Sequence, residues 1–303
     1  MRINYIEFLD PFRYGGGGEM NSRALIEYGR KLGHDIRVGA RRTGKLSRFY
    51  NPFMRLHAEP DLWILCDVFN CPDTNIEFQP GFIDSIIRSK CYIHIDNAYV
   101  DICKKGGLPC NGIRTSAMCS TCVDPGRFDI YKNSVACVFV SPLHEQIIRG
   151  MLPTNYIKKS FLLRPCIDTQ IFKNYGKVRY IDYLYVGTIS AYKGYSNLKN
   201  RFGGQTGFLF IGTNTTGEKL FGEHIPYVKN EELPLYYNRS KHFVHLPQWK
   251  EPAARTVVEA ALCGCEIITN ENVGVVTFPF SLSDPAQFEI AEQEFWSNLS
   301  ALL

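Results

Sequence analysis

The sequence predicts an α/β protein built from two doubly wound units, each a mainly parallel sheet with helices on both faces. Three observations predict it. At 303 residues the chain is long enough for two domains of ordinary size, each burying its own core. Short apolar runs bounded by turn residues alternate with helix-length amphipathic segments. The alternation pauses around Leu152 to Phe172 and then resumes, which places a joint near Pro165 and two units at 1–165 and 166–303.

In the first unit the expected strands are Ile3 to Leu9, Ile36 to Val38, Leu62 to Val68, Tyr92 to Ile95 and Val135 to Val140. Runs this short and this apolar suit strands buried on both faces of a parallel sheet. Expected helices run from Asn21 to Leu32 and from Phe82 to Arg88. In the second unit the strands are Tyr183 to Val186, Phe208 to Ile211, His242 to Leu246 and Glu266 to Thr269. Helices near Ser196 to Arg201, Glu231 to Tyr237 and Thr256 to Cys263 lie between them. The closing segment from Pro285 to Leu303 reads as one amphipathic helix, with Phe288, Ile290, Phe295, Trp296 and Leu299 on its apolar side.

Composition narrows the class. Hydrophobic residues at 45% and charged residues at 21% describe a globular chain, and no run of some eighteen uncharged apolar residues exists to span a bilayer. The opening MRINYIEFLD carries charges within its apolar stretch, so it reads as a first strand, and the expected location is cytoplasmic. Net charge is only +4, but Arg37, Arg41, Arg42, Lys45, Arg48 and Arg55 follow one another with no acidic residue between Arg37 and Arg55. That stretch is either a solvated loop or a surface for a phosphate-rich acceptor. Eleven cysteines without a secretory leader point to free thiols or metal ligands.

Four motifs carry chemistry. Gly15-Gly16-Gly17-Gly18-Glu19 stands between the first strand and the first helix, where glycines let backbone amides approach a phosphate or sugar. It is not a dinucleotide fingerprint, because Val38 is followed by Gly39, Ala40 and Arg41 with no acidic residue. In Tyr183-Leu-Tyr-Val-Gly187-Thr188-Ile-Ser-Ala-Tyr-Lys193-Gly194, a strand ends in glycine and a lysine follows at its carboxyl end. A cation there can neutralise a diphosphate leaving group.

Glu251 and Glu259 stand eight positions apart, one before a helix and one inside it. They can reach opposite ends of a ligand lying along the helix N-terminus, one on a sugar hydroxyl and one on a ribose diol. Cys103-x6-Cys110-x8-Cys119-x2-Cys122, in a glycine-containing loop, has spacing suited to a closed structural zinc site. Just before it, in Tyr92-Ile-His94-Ile-Asp96-Asn97, His94 is a candidate core histidine, while Asp96 and Asn97 emerge at the strand tip as candidate catalytic residues.

The order GGGE and GHDIRV, then VSPLHEQI, LLRPCIDTQIF, YLYVGTISAYKG, FLFIGTN, ELPLYYNRS and E-x7-E followed by ALCGCEIITN resembles the retaining family 4 glycosyltransferases. The resemblance covers nearly the whole chain and is most specific from about Ile167 to Asn270. It implies a GT-B fold, two Rossmann-like domains facing a cleft, with a nucleotide-diphosphate sugar as donor and no metal needed for transfer. By it, Glu259 binds the donor ribose, Glu251 the donor sugar and Lys193 the diphosphate. Gly16, Gly17, Gly187 and the amides after Glu251 complete the donor pocket.

Two departures stand out. Thr188 occupies the place of the family's diphosphate-binding arginine, leaving Arg255 or Arg164 as substitutes, and Pro-Ala-Ala replaces a glycine-containing turn after Glu251. The expected acceptor is a saccharide or lipid-linked glycan, with a hydroxylated DNA base as the alternative on the basic stretch. A non-catalytic module that binds a nucleotide or a partner is the rival reading. A zinc hydrolase is disfavoured, since four thiolates leave no open coordination position.

Overall fold

The computed structural model describes residues 1–42, 56–69, 81–103 and 123–303. Its strands form two separate sheets. The first contains β1 (Arg2–Leu9), β2 (Asp35–Arg42), β3 (Leu62–Cys66), β4 (Tyr92–Asp96), β5 (Ala136–Phe139) and β6 (Ser160–Leu162), in the order β2-β1-β3-β4-β5-β6. Every pair in it is parallel. The second contains β7 (Ile181–Val186), β8 (Phe208–Ile211), β9 (Glu223–Ile225), β10 (Ser240–His245) and β11 (Glu266–Thr269), ordered β11-β10-β7-β8-β9 and again wholly parallel.

Helices cover both faces. They are α1 (Gly17–Lys31), α2 (Phe82–Ser89), α3 (Asp129–Lys132) and α4 (Pro142–Met151) around the first sheet, and α5 (Tyr195–Phe202), α6 (Leu233–Tyr237) and α7 (Arg255–Leu262) around the second. Each sheet is therefore buried twice. In the first, Tyr5, Ile64 and Cys66 face one apolar cluster while Ile6 and Leu65 face another. In the second, Leu184 and Val186 join one cluster and Tyr185 the other. This double burial explains why the strands read as continuous apolar runs instead of an alternating pattern.

The chain reverses direction across each sheet once. It leaves β1 for β2 on one side and returns to β3 on the other, and it leaves β7 for β8 and β9 and returns to β10. Connections at such switch points diverge to opposite faces and open a crevice at the strand ends.

The tail departs from expectation. Pro285 to Leu303 is not one helix but α8 (Ala286–Glu289) and α9 (Ala291–Ser300), broken at Ile290, which is exposed. Phe288 belongs to the second sheet's core, whereas Phe295, Trp296 and Leu299 pack with Leu25 and Ile26 of α1 on the first. The break lets one segment serve two cores. Trp296 Nε1 donates to the Leu25 carbonyl at 3.0 Å, and a Cβ on Gly29 would collide with the indole, so a glycine inside α1 makes room for the closing helix. No described helix is long and apolar enough to cross a membrane.

Candidate active site

The two switch points face one another across a cleft of about 660 Å³. From the first half it is lined by the Gly15 to Gly18 loop, Asn21 and Asn97, and from the second by Gly187, Thr188, Lys193, Trp249, Glu251 and Arg255. Two helix N-termini open onto it. Gly16 caps α1 and Ala254 caps α7, neither with a capping side chain. Their first-turn amides carry the partial positive charge that favours an anion.

Local backbone geometry holds the lysine and glutamate loops together. Gly194 has φ +92°, and a Cβ there would collide with the Leu246 carbonyl oxygen, so the loop after β7 rests directly on the backbone after β10. The Glu251 amide donates to the Asn272 carbonyl at 2.7 Å, and the Glu251 carbonyl accepts from the Gly274 amide at 2.9 Å. Ser141, the side-chain cap of α4, donates its hydroxyl to the Pro252 carbonyl at 2.5 Å, tying the first half to this loop. Ala254 then adopts φ +75° and ψ +68°, the left-handed conformation that a glycine would reach without strain.

The Glu251 carboxylate is nearly buried and has two partners. Oε1 accepts from Lys193 Nζ at 2.5 Å and Oε2 from His245 Nε2 at 2.8 Å. Burial alone would raise its pKa, but the Lys193 charge and the His245 contact outweigh it and hold the carboxyl at about 2. Lys193 also lies 5.4 Å from the Trp249 ring.

Glu259 is 1% exposed and accepts from Arg255 Nε at 2.8 Å and the Tyr237 hydroxyl at 3.2 Å, with Asn230 Nδ2 at 3.5 Å. These contacts explain how a carboxylate tolerates the apolar stretch of α7. Arg255 reaches further still, donating from a terminal nitrogen to the Cys166 carbonyl at 2.6 Å and to Asn21 Oδ1 at 3.3 Å. It thereby links α7, the connection between the halves and α1. Arg164, the other candidate substitute for the missing arginine, is bound instead to Gln287 and Glu294 of the tail and is absent from the cleft lining.

On the first-half wall, Asn97 reaches the cleft beside Gly18 and donates through Nδ2 to Cys66 Sγ at 3.0 Å. Asp96 does not reach it. Fully buried, Asp96 accepts from the Tyr131 hydroxyl at 2.5 Å and from the Ala98 and Tyr99 amides, and His144 Nε2 lies 3.4 Å away. Burial raises its pKa, yet the neighbouring histidines and the tyrosine hydroxyl overcome that and keep it below the ordinary carboxyl range. A side chain with these contacts shapes the turn carrying Asn97 and is absent from the cleft lining. His94 is a buried histidine paired with Asp101 at 2.8 Å; burial lowers its pKa, but that carboxylate lifts it to about 10.

The cleft therefore gathers Gly16, Gly17, Asn97, Gly187, Thr188, Lys193, Glu251, Arg255 and Glu259. Sequence reading passed over His245, Trp249, Asn21 and Tyr237. His245 carried a usable signal, being the last residue of a parallel strand six positions before Glu251. Cys103 is a buried free thiol whose bridge to Val123 brings together the ends of the cysteine loop. Cys110, Cys119 and Cys122 lie outside the described residues, as do Lys45, Arg48 and Arg55 of the basic stretch. Among the described residues no group of three or more histidines, cysteines and carboxylates is placed to hold a metal.

Two parallel sheets facing a cleft are the GT-B arrangement, and solved structures share it along the whole chain. HepE of Anabaena, in complex with UDP, aligns over 99% of this chain and all of its own at 13% identity, with a TM-score of 0.66. Sucrose-phosphate synthase of Thermosynechococcus elongatus aligns over 98% of this chain and 90% of its own at 14% identity, TM-score 0.64. An alpha-glucosyltransferase in complex with UDP and a 13-mer DNA aligns over 100% and 92% at 13% identity, TM-score 0.54. No protein-family model and no curated protein sequence matches the chain.

Proposed function

We propose that this chain is a glycosyltransferase that moves a sugar from a nucleotide diphosphate sugar, UDP-linked, onto an acceptor hydroxyl with retention of configuration. The observation that carries the proposal is the Lys193–Glu251 pair in a cleft onto which two helix N-termini open. The similarity to UDP-bound structures supports the choice of base.

In this reading the diphosphate lies against the first turns of α7 and α1, and Lys193 Nζ leaves Glu251 to meet it. The bond from the anomeric carbon to the leaving phosphate oxygen breaks as the acceptor oxygen bonds to the same face. The acceptor's proton passes to the leaving phosphate. Lys193 and the amide dipoles stabilise the charge that develops on the leaving group, and Glu251 takes a sugar hydroxyl. Glu259, which lines the cleft, serves the ribose.

Lys193 and Arg255 are the cations among the described cleft-lining residues, and each is already paired with a carboxylate. That observation gives substance to the second reading, a module that binds a nucleotide without turnover. Release of UDP from a panel of UDP-sugars decides between them. Transfer predicts slow hydrolysis abolished by Glu251→Ala and by Lys193→Ala, whereas tight UDP binding without hydrolysis supports the module.

The acceptor in this proposal is a saccharide or lipid-linked glycan. A steep fall in activity with salt would move it to DNA. A structural zinc on Cys103, Cys110, Cys119 and Cys122 rests on the CxxC spacing. It predicts one zinc per purified chain, lost in Cys119→Ser.

A further inference from the structure

His245 is the last residue of β10, 3% exposed, and its ring lies nearly parallel to Tyr185 at 5.8 Å and to Phe243 at 6.4 Å. This aromatic packing fixes the imidazole plane. One nitrogen, Nε2, is 2.8 Å from Glu251 Oε2; the other, Nδ1, is buried with no hydrogen-bond partner. The strand neighbour in register on β11 is Thr269, the charged group in contact is Glu251, and the cation beyond it is Lys193 on Oε1.

This asymmetry selects one form of the ring. A hydrogen on Nδ1 would be a buried donor without an acceptor, which is costly, whereas an unpaired lone pair there costs less. The hydrogen therefore sits on Nε2 and is donated to Glu251. Glu251 is held at two oxygens by two different kinds of partner: a ring N–H fixed by aromatic packing on Oε2 and a cation at the end of a long flexible stem on Oε1.

We propose that His245 is a positioning residue that locks Glu251 Oε2, so that Oε1 turns to a sugar hydroxyl when a diphosphate draws Lys193 away. The inference rests on the transferase reading above and deepens it. With His245 in place, the carboxylate keeps its orientation after losing the lysine. Without it, the carboxylate is free to rotate and follow Lys193, and the hydroxyl contact is lost in the step where it is needed.

Two variants test this. His245→Phe keeps the ring packing and removes the donor, while His245→Gln restores an N–H at similar reach. Calorimetry with UDP should give affinities within about threefold of one another for all three proteins, because in this reading the diphosphate meets Lys193 and the helix amides while His245 bonds only Glu251. Hydrolysis of the UDP-sugar that the wild type turns over should show kcat lowered on the order of 10–100-fold in His245→Phe, with KM little changed, and recovery in His245→Gln. An unchanged kcat in His245→Phe, or a loss of UDP binding equal to the loss of kcat, overturns the positioning role.

The hydrogen bond has its own readout. Nitrogen-15 NMR of histidine-labelled protein at neutral pH should show the His245 hydrogen on Nε2, and a signal with it on Nδ1 overturns the argument whatever the enzyme assays give. A wild type that binds UDP but releases none from any UDP-sugar removes the transferase reading, and the positioning role with it, while leaving the spectrum to judge the hydrogen bond.

Discussion

Replacing Glu251 by glutamine should destabilise the protein in a pH-dependent way. A carboxyl moved from its ordinary 4.5 to about 2 contributes about 3 kcal/mol to stability. Because the folded-state value is the lower one, that contribution is fully present above pH 4.5 and is lost as pH falls toward 2. Glutamine carries no charge at any pH, so the linked contribution is absent from the variant throughout. The gap between wild type and Glu251→Gln should therefore be about 3 kcal/mol at pH 7 and shrink to about 1 kcal/mol at pH 3. Hydrogen bonds that an amide cannot copy add a constant offset, which leaves the narrowing of about 2 kcal/mol as the diagnostic. Urea unfolding of both proteins at pH 7, 5, 4 and 3 measures it. A gap that stays constant across the series would show that Lys193 and His245 do not hold this carboxylate ionised, and would refute the reasoning.

Other outcomes follow from single contacts. Ala254→Gly should stabilise by about 0.5–1 kcal/mol, because an L-residue at φ +75° is strained and glycine is not; a lower midpoint in urea would contradict this. Arg255→Ala removes the partner of a buried carboxylate and should cost about 3–5 kcal/mol, read as a fall in unfolding midpoint, with weaker UDP binding. Trp296→Ala should cost about 3–5 kcal/mol and loosen amide protection in α1 as well as α9, since the indole packs against both the first sheet and Gly29.

Much of this architecture was legible because a doubly buried parallel strand is a simple signal. Five-residue runs such as LWILC and YIHID, bounded by turn residues and too short for a helix, fold as such strands. Short edge strands were not legible: Glu223–Ile225 and Ser160–Leu162 are three residues each, too short to show a pattern, and they pair because neighbouring strands present free edges. Helix α1 begins at Gly17, four residues before Asn21, because tertiary placement of the glycine loop overrides the low helix propensity of glycine.

The tail misled for a related reason. Its apolar side chains have helical spacing, but they belong to two cores, and nothing in the period records where one ends and the other begins. At the site, a lysine after a strand's carboxyl end and two glutamates eight positions apart singled out Lys193, Glu251 and Glu259, and all three line the cleft. Burial decided the rest. Asp96 and Asn97 are adjacent in sequence, and whether a carboxylate emerges or folds back on Tyr131 depends on a turn that the sequence does not spell out.

The most direct test is a crystal structure of the chain with millimolar UDP. The account predicts the diphosphate within hydrogen-bonding distance of Lys193 Nζ and the first-turn amides of α7, the ribose beside Glu259, and the Lys193–Glu251 pair opened. A nucleotide bound elsewhere, or a cleft that stays empty with that pair intact, would contradict it.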